Sequence, residues 1–188
     1  MKKYVKWILL LIMILVIPSL LPDCCYNYHA NSIIRENIRY ETNSFFSRCL
    51  ATSFEWPEGQ NSITLSIPDK VDGYRVISLG GFVGSGAPAP FMPQIPGTQM
   101  VYSEGTLPED AVVEQYHMTL VLGKYVRETR FVGMDMYYYM GDGRYIQILV
   151  TVDPGENTYY GVKDGRLYYK ADGQVVKGFF YTSDYVTK

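Results

Sequence analysis

From Val150 to Phe180 the chain repeats one device. Short runs rich in Val, Tyr, Phe and Thr are broken at Asp153-Pro154-Gly155, Asp164-Gly165 and Asp172-Gly173. Such breaks make tight turns because glycine takes a positive φ without a Cβ clash, so the text between them reads as strands. The device recurs upstream. Pro57 to Gln60, Pro68 to Gly73, Gly123-Lys124 and Gly141-Asp142-Gly143 separate runs at 51–56, 62–67, 74–79, 117–122, 125–132, 134–140 and 145–152. Within 62–67 the alternation puts Ile63, Leu65 and Ile67 on one face and Thr64 and Ser66 on the other. Beyond Thr42 no capped stretch of helix length carries a 3.6-residue period. A chain punctuated in this way is expected to be mainly β.

At 188 residues there is room for one domain and a targeting segment. An apolar fraction of 47% against 19% charged residues fits a folded body. The targeting segment is the first 23 residues. Lys2, Lys3 and Lys6 form a basic flank, and Trp7 to Ile17 is an unbroken apolar run that Pro18 to Pro22 extends to Asp23. That order marks a signal peptide or an uncleaved signal anchor, and implies one N-terminal hydrophobic helix. No Ala-x-Ala-like site follows it. Cys24 has Leu21 three residues before it, as a lipidated cysteine does, but Asp23 stands where that signal takes a small residue. Retention, cleavage and lipidation at Cys24 all stay open. The positive-inside rule puts the chain beyond Cys24 outside the cytoplasm, at the cell membrane or secreted. Removing the three flank lysines leaves 14 basic against 19 acidic side chains, a net of −5, which excludes a nucleic-acid role.

Residues 24–48 read as a juxtamembrane spacer with room for a short helix, in which Ser32 or Asn31 caps and Ile34 and Ile38 lie four apart. The extracytoplasmic β-rich domain is then 49–188. Within it, Gly80 to Gly97 alternates glycines with Pro88, Pro90, Pro93 and Pro96 and reads as a long irregular loop, tacked down by Phe82, Phe91 and Met92. It is not a phosphate loop, since no Lys-Ser/Thr follows the glycines. Cys24 and Cys25 are adjacent and Cys49 is distant. A bridge from Cys49 to either leaves an odd thiol, and three free thiols are the alternative.

Two stretches resemble units of BspA-type leucine-rich repeat proteins of bacterial surfaces. Ser62 to Gly80, with Ile63-Thr64-Leu65-Ser66-Ile67-Pro68, Val71, Gly73 and Val76-Ile77-Ser78-Leu79-Gly80, is similar to the opening unit. Val150-Thr151-Val152-Asp153, Asn157, Tyr160 and Asp164-Gly165-Arg166-Leu167-Tyr168-Tyr169-Lys170 is similar to a later one. Met118 to Val126 looks like a degenerate coil between them. The family's Ala-Phe after the Ile-Gly turn is replaced by Gly81-Phe82, and even spacing is lost. The resemblance implies a small, irregular leucine-rich-repeat-like domain of hairpins and short coils on a cell surface. In the tail, Tyr168-Tyr169, Asp172-Gly173 and Gly178-Phe179 also resemble aromatic-glycine repeats that bind cell-wall choline or glucan, with Leu167 where those carry Trp.

Catalytic grammar is absent. His29 and His117 are the two histidines, and no nucleophile elbow, zincin motif or zinc-spaced cysteine set occurs. Asp135, Asp142, Asp153, Glu156 and Asp164 sit near turns, where acids commonly serve as turn formers. An acidic pair of glycosidase type remains the alternative, because its members need not be near in sequence. The expectation is a non-catalytic binding protein with no cofactor and no metal. It meets the membrane through its N-terminal segment and a second surface protein or a cell-wall glycan through its body. The candidate contact surface is Tyr137, Tyr138, Tyr139 and Tyr145 with Tyr159, Tyr160, Tyr168 and Tyr169, since exposed tyrosine offers area and a polar tip.

Overall fold

The computed structural model describes residues 30–44, 46–83, 87–89, 91–102, 107–129, 136–176 and 186–187. The N-terminal hydrophobic segment, Cys24, Cys25 and His29 lie outside them. The described residues hold strands and turns but no helix, and so none long and apolar enough to cross a membrane. In chain order the strands are β1 (Ala30–Arg35), β2 (Ile38–Asn43), β3 (Arg48–Glu55), β4 (Ser62–Ser66), β5 (Lys70–Val71) and β6 (Tyr74–Leu79). There follow β7 (Gly81–Val83), β8 (Ala87–Ala89), β9 (Met92–Gln94), β10 (Gln99–Tyr102), β11 (Val112–Val121) and β12 (Glu128–Thr129). The last are β13 (Met136–Gly141), β14 (Arg144–Asp153), β15 (Tyr160–Lys163), β16 (Arg166–Tyr169) and β17 (Val186–Thr187).

Two sheets dominate. The first runs β1-β2-β3-β6-β12, with β5 on β6 and β9 on β3; the second runs β10-β13-β14-β11-β4, with β17 on β14. Their shared core includes Ile38, Tyr40, Phe54 and Leu79 from one and Met118, Leu120, Ile148 and Val152 from the other. Parallel strands are built into both sheets, and β3, β4, β6, β11, β12 and β14 fall to the first and second in turn. β3, β6 and β12 pair in parallel in the first sheet, while β4, β11, β14 and β17 do so in the second. The chain therefore crosses repeatedly between the sheets, with β9 as a further parallel partner of β3 and β17 as a second successive addition to the second sheet. The three stretches singled out by the repeat-like text lie side by side in register. Ile63, Met118 and Val150 form one inward row, and Leu65, Leu120 and Val152 the next. Thr64, Thr119 and Thr151 align between them on the opposite face.

The corners after β4, β11 and β14 stack as well, through directed hydrogen bonds. Ile67 N–H donates to Val121 O at 2.9 Å, and Leu122 N–H to Asp153 O at 2.9 Å. Asp69 Oδ1 accepts the Lys124 N–H at 2.6 Å. Asn157 is fully buried, at 0% exposure. Its Nδ2 donates to Gly123 O at 2.6 Å and Val126 O at 2.8 Å. Its Oδ1 accepts Tyr159 N–H and Tyr160 N–H, both at 2.8 Å. An amide offers two donors and a two-lone-pair acceptor, so Asn157 is satisfied at every site. Gly123 fits because it has no side chain: a Cβ there would sit 2.6 Å from Ile67 O and 2.7 Å from Pro68 O.

Two expectations are corrected. Where a short helix had room in the spacer, β1 and β2 form an antiparallel hairpin that extends the first sheet beyond β3. Glu36 and Asn37 carry φ values of 51° and 64°, which is the primed two-residue turn that joins strands of natural twist. Ile34 and Ile38 therefore lie on paired strands rather than on one helical face; Ile38 is buried and Ile34 is exposed. The Gly80–Gly97 stretch is more regular than a loop, carrying the β7–β8 hairpin and β9, which runs parallel to β3. Phe91 anchors it, buried with its ring 5.3 Å from that of Phe54.

Candidate functional site

Strand alternation decides which tyrosines reach the surface. Along β13 neighbouring side chains point to opposite sides, so Tyr138 is buried in the core while Tyr137 and Tyr139 face outward. Tyr145 pairs with Tyr139 across β13 and β14, their rings 5.2 Å apart and tilted by 46°. Gln99, Tyr139, Tyr145 and Val113 make one row across the outer face of the second sheet. Val101, Tyr137, Gln147 and Gln115 make the next. The patch thus combines three half-buried rings, two exposed valines and three glutamines on one rigid sheet. Arg144 and Glu114 form an ion pair at the start of β14 and β11.

The C-terminal tyrosines divide differently. Tyr160 is buried, its hydroxyl donating to Arg127 O at 3.0 Å, so it braces the middle corner rather than a contact surface. Tyr159 and Tyr169 are exposed, each at 38%. Tyr168 lies across Gly161, where an added Cβ would come within 2.7 Å of its hydroxyl. This is an aromatic ring covering the bare backbone of a strand glycine. Tyr138 and Tyr160 therefore leave the expected contact surface, because each is spent on the core. The remaining six fall into two groups, one on the second sheet and one on the β15–β16 hairpin. A pocket of about 660 Å³ opens beside that hairpin, lined by Lys163, Asp164, Arg166, Tyr168, Gly173 and Val175. A smaller one of about 140 Å³ lies beside Trp56 and Tyr116, with Glu58 at its rim.

Three of the turn acids have structural tasks. Asp153 accepts Gly155 N–H at 3.0 Å in its own turn. Asp142 and Asp164 occupy turn positions with φ of 50° and 52°. Glu156 is exposed, and Asp135 lies outside the described residues. Each of the two pockets has one carboxylate among its described lining residues. His117 stands exposed on the outer face of β11, in register with Leu149 and Ser62. Cys49 is a free thiol, fully buried; burial pushes it up to about 12, so it is protonated and unreactive at neutral pH. Burial first, then nearby Cys49 and Glu36, raise the Tyr40 hydroxyl well above its usual range. Among the described residues no group of three or more His, Cys, Asp or Glu could hold a metal.

The outer patch was legible as a tyrosine cluster; its partners were not. Gln99, Gln115 and Gln147 come from three strands, and only the register brings them to the rings. The chain matches no family model, no curated protein and no solved structure.

Proposed function

We propose that this is a bacterial membrane-anchored or exported surface protein with a non-catalytic binding role. It contacts its ligand through the outer face of the second sheet. The observation that carries the reading is the placing of Tyr137, Tyr139 and Tyr145 beside three glutamines on that face. Recognition surfaces favour such rings because they supply contact area with few torsions to freeze. The use of the acids in turns supports a binding role over hydrolysis by an acidic pair. The fold in this proposal is a short, irregular relative of the BspA-type leucine-rich repeat. Its support is the in-register stacking of the stretches at 62–66, 118–121 and 150–153.

A cell-wall glycan is the second reading, favoured by the chemistry of the patch. Sugar rings present apolar C–H faces that stack on tyrosine, and hydroxyls that primary amides both donate to and accept from. Retention of the full-length chain, in mild detergent, on purified peptidoglycan separates the readings. Retention that disappears in Tyr139→Ala/Tyr145→Ala and weakens in Gln147→Ala assigns the patch to glycan. No retention removes the glycan reading and leaves a protein partner. Retention indifferent to all three substitutions overturns the outer face as the contact surface.

A further inference from the structure

We propose that β4 is the seam of a homodimer, pairing antiparallel with β4 of a second copy across a two-fold axis at Thr64. Among the described residues the second sheet ends at this strand. In the row Ile63, Met118 and Val150 the last two are buried and Ile63 is only half-covered. Leu65 is likewise half-covered beside fully buried Leu120 and Val152. Both are in the core cluster as partly buried members. The opposite side of β14 differs, being flanked by β13 and β17.

Backbone geometry shows what the free edge offers. Ile67 N–H donates to Val121 O, and Asn61 O accepts His117 N–H, so the odd-numbered residues of this strand turn to β11. Ser62, Thr64 and Ser66 therefore aim their N–H and C=O groups away from it. This edge has no proline, no charge and no bulge, the devices that normally protect one.

The occupant is a second copy because the strand is its own complement. Ser62-Ile63-Thr64-Leu65-Ser66 has the same pattern in both directions. A two-fold at Thr64 sets Ser62 against Ser66 of the partner and Ile63 against Leu65, polar on polar and apolar on apolar. Self-complementarity of this kind is what an isologous interface requires. The three edge-facing residues exchange about six backbone hydrogen bonds with the partner, two at each directly bonded pair. The axis is normal to the sheet, so both tyrosine patches face the same way.

The test uses the full-length chain in detergent, with Cys24→Ser/Cys25→Ser as background for cross-linking. A Thr64→Cys variant of this background is expected to form a disulfide-linked dimer on mild oxidation. Its two cysteines would face at a Cα separation of about 5.5 Å, within disulfide range. Ser62→Cys alone is expected to stay uncross-linked, and Ser62→Cys with Ser66→Cys to cross-link. By light scattering, Thr64→Lys should weaken dimerisation by about tenfold or more, since like charges then meet at the axis. Thr64→Pro should do so by removing an edge donor, both with circular dichroism unchanged. A chain that stays monomeric, or a dimer that survives Thr64→Lys, overturns the proposal. So does equal cross-linking of the Thr64→Cys and Ser62→Cys variants.

Discussion

The corner after β11, Leu122 to Arg127, is gripped from both sides, and the two grips differ. On one side Asn157 is wholly buried and fills four hydrogen-bond sites, two of them on Gly123 and Val126. On the other, exposed Asp69 accepts one backbone N–H from Lys124. The bonds are similar in length, so length does not rank them. What ranks them is what remains when the side chain goes. Around Asn157 the stranded carbonyls and amides are shut off from water, whereas Lys124 N–H can turn to solvent. The same kind of contact is thus a keystone in one place and a convenience in the other.

Asn157→Asp should break the contrast most severely. It sets a carboxyl oxygen against Gly123 O and Val126 O in a fully buried site. We expect a loss of about 5 kcal/mol, a large part of what a domain of this size has. Its pH dependence carries a sign. The introduced carboxyl is held neutral in the folded state, so its folded pKa lies above the unfolded value of about 3.9. Stability is therefore best below the unfolded value and falls as pH rises through the folded one. Urea melts across acid pH, followed by Trp56 emission, would show the midpoint rising on acidification. A flat profile would sink the buried-amide account.

Asn157→Ala follows, at about 3–4 kcal/mol, from its four stranded partners. Gly123→Ala should cost about 1–3 kcal/mol by overpacking, because the new methyl meets backbone carbonyls of the neighbouring corner. A stabilising effect there would mean that the corners are not in contact. Tyr160→Phe removes one hydroxyl from Arg127 O and is expected to cost about 1 kcal/mol by the same melts. Asp69→Ala comes last, at about 0.5 kcal/mol, with Asp69→Asn nearly neutral because the acceptor is kept. An Asp69→Ala loss as large as that of Asn157→Ala would erase the distinction between the grips.

How far the chain could be read depended on how local each signal was. Turns at Gly73, Gly143 and Gly165 were legible because a positive φ belongs to a single residue. Strand positions such as Ser62–Ser66 followed from alternation over a few residues. Parallel pairing was not legible, because β4, β11 and β14 are joined through long intervening chain and each alternates as a hairpin strand would. Asn157 stood out through its repeat-like context, yet its role needed the neighbouring corner to be seen. The Tyr137–Tyr139 run looked like three equal rings. The sheet made two of them surface and one core, since a period of two cannot present three neighbours together.

The winding between sheets also sets an order of events in time. Hairpin β1–β2 closes between Arg35 and Ile38, a contact that forms almost as soon as the strands exist. β4 must wait for β11, whose His117 pairs with Ser62, a separation of 117 − 62 = 55 residues. Nonlocal pairings of this kind make folding slow, since a long loop must be ordered before any contact rewards it. Pulse-labelled hydrogen exchange should find β2 and β3 amides protected before those of β4. A chain emerging N-terminus first holds Ser62–Ser66 as an unattached strand throughout that interval, which makes the speed at which the later strands dock a determinant of yield.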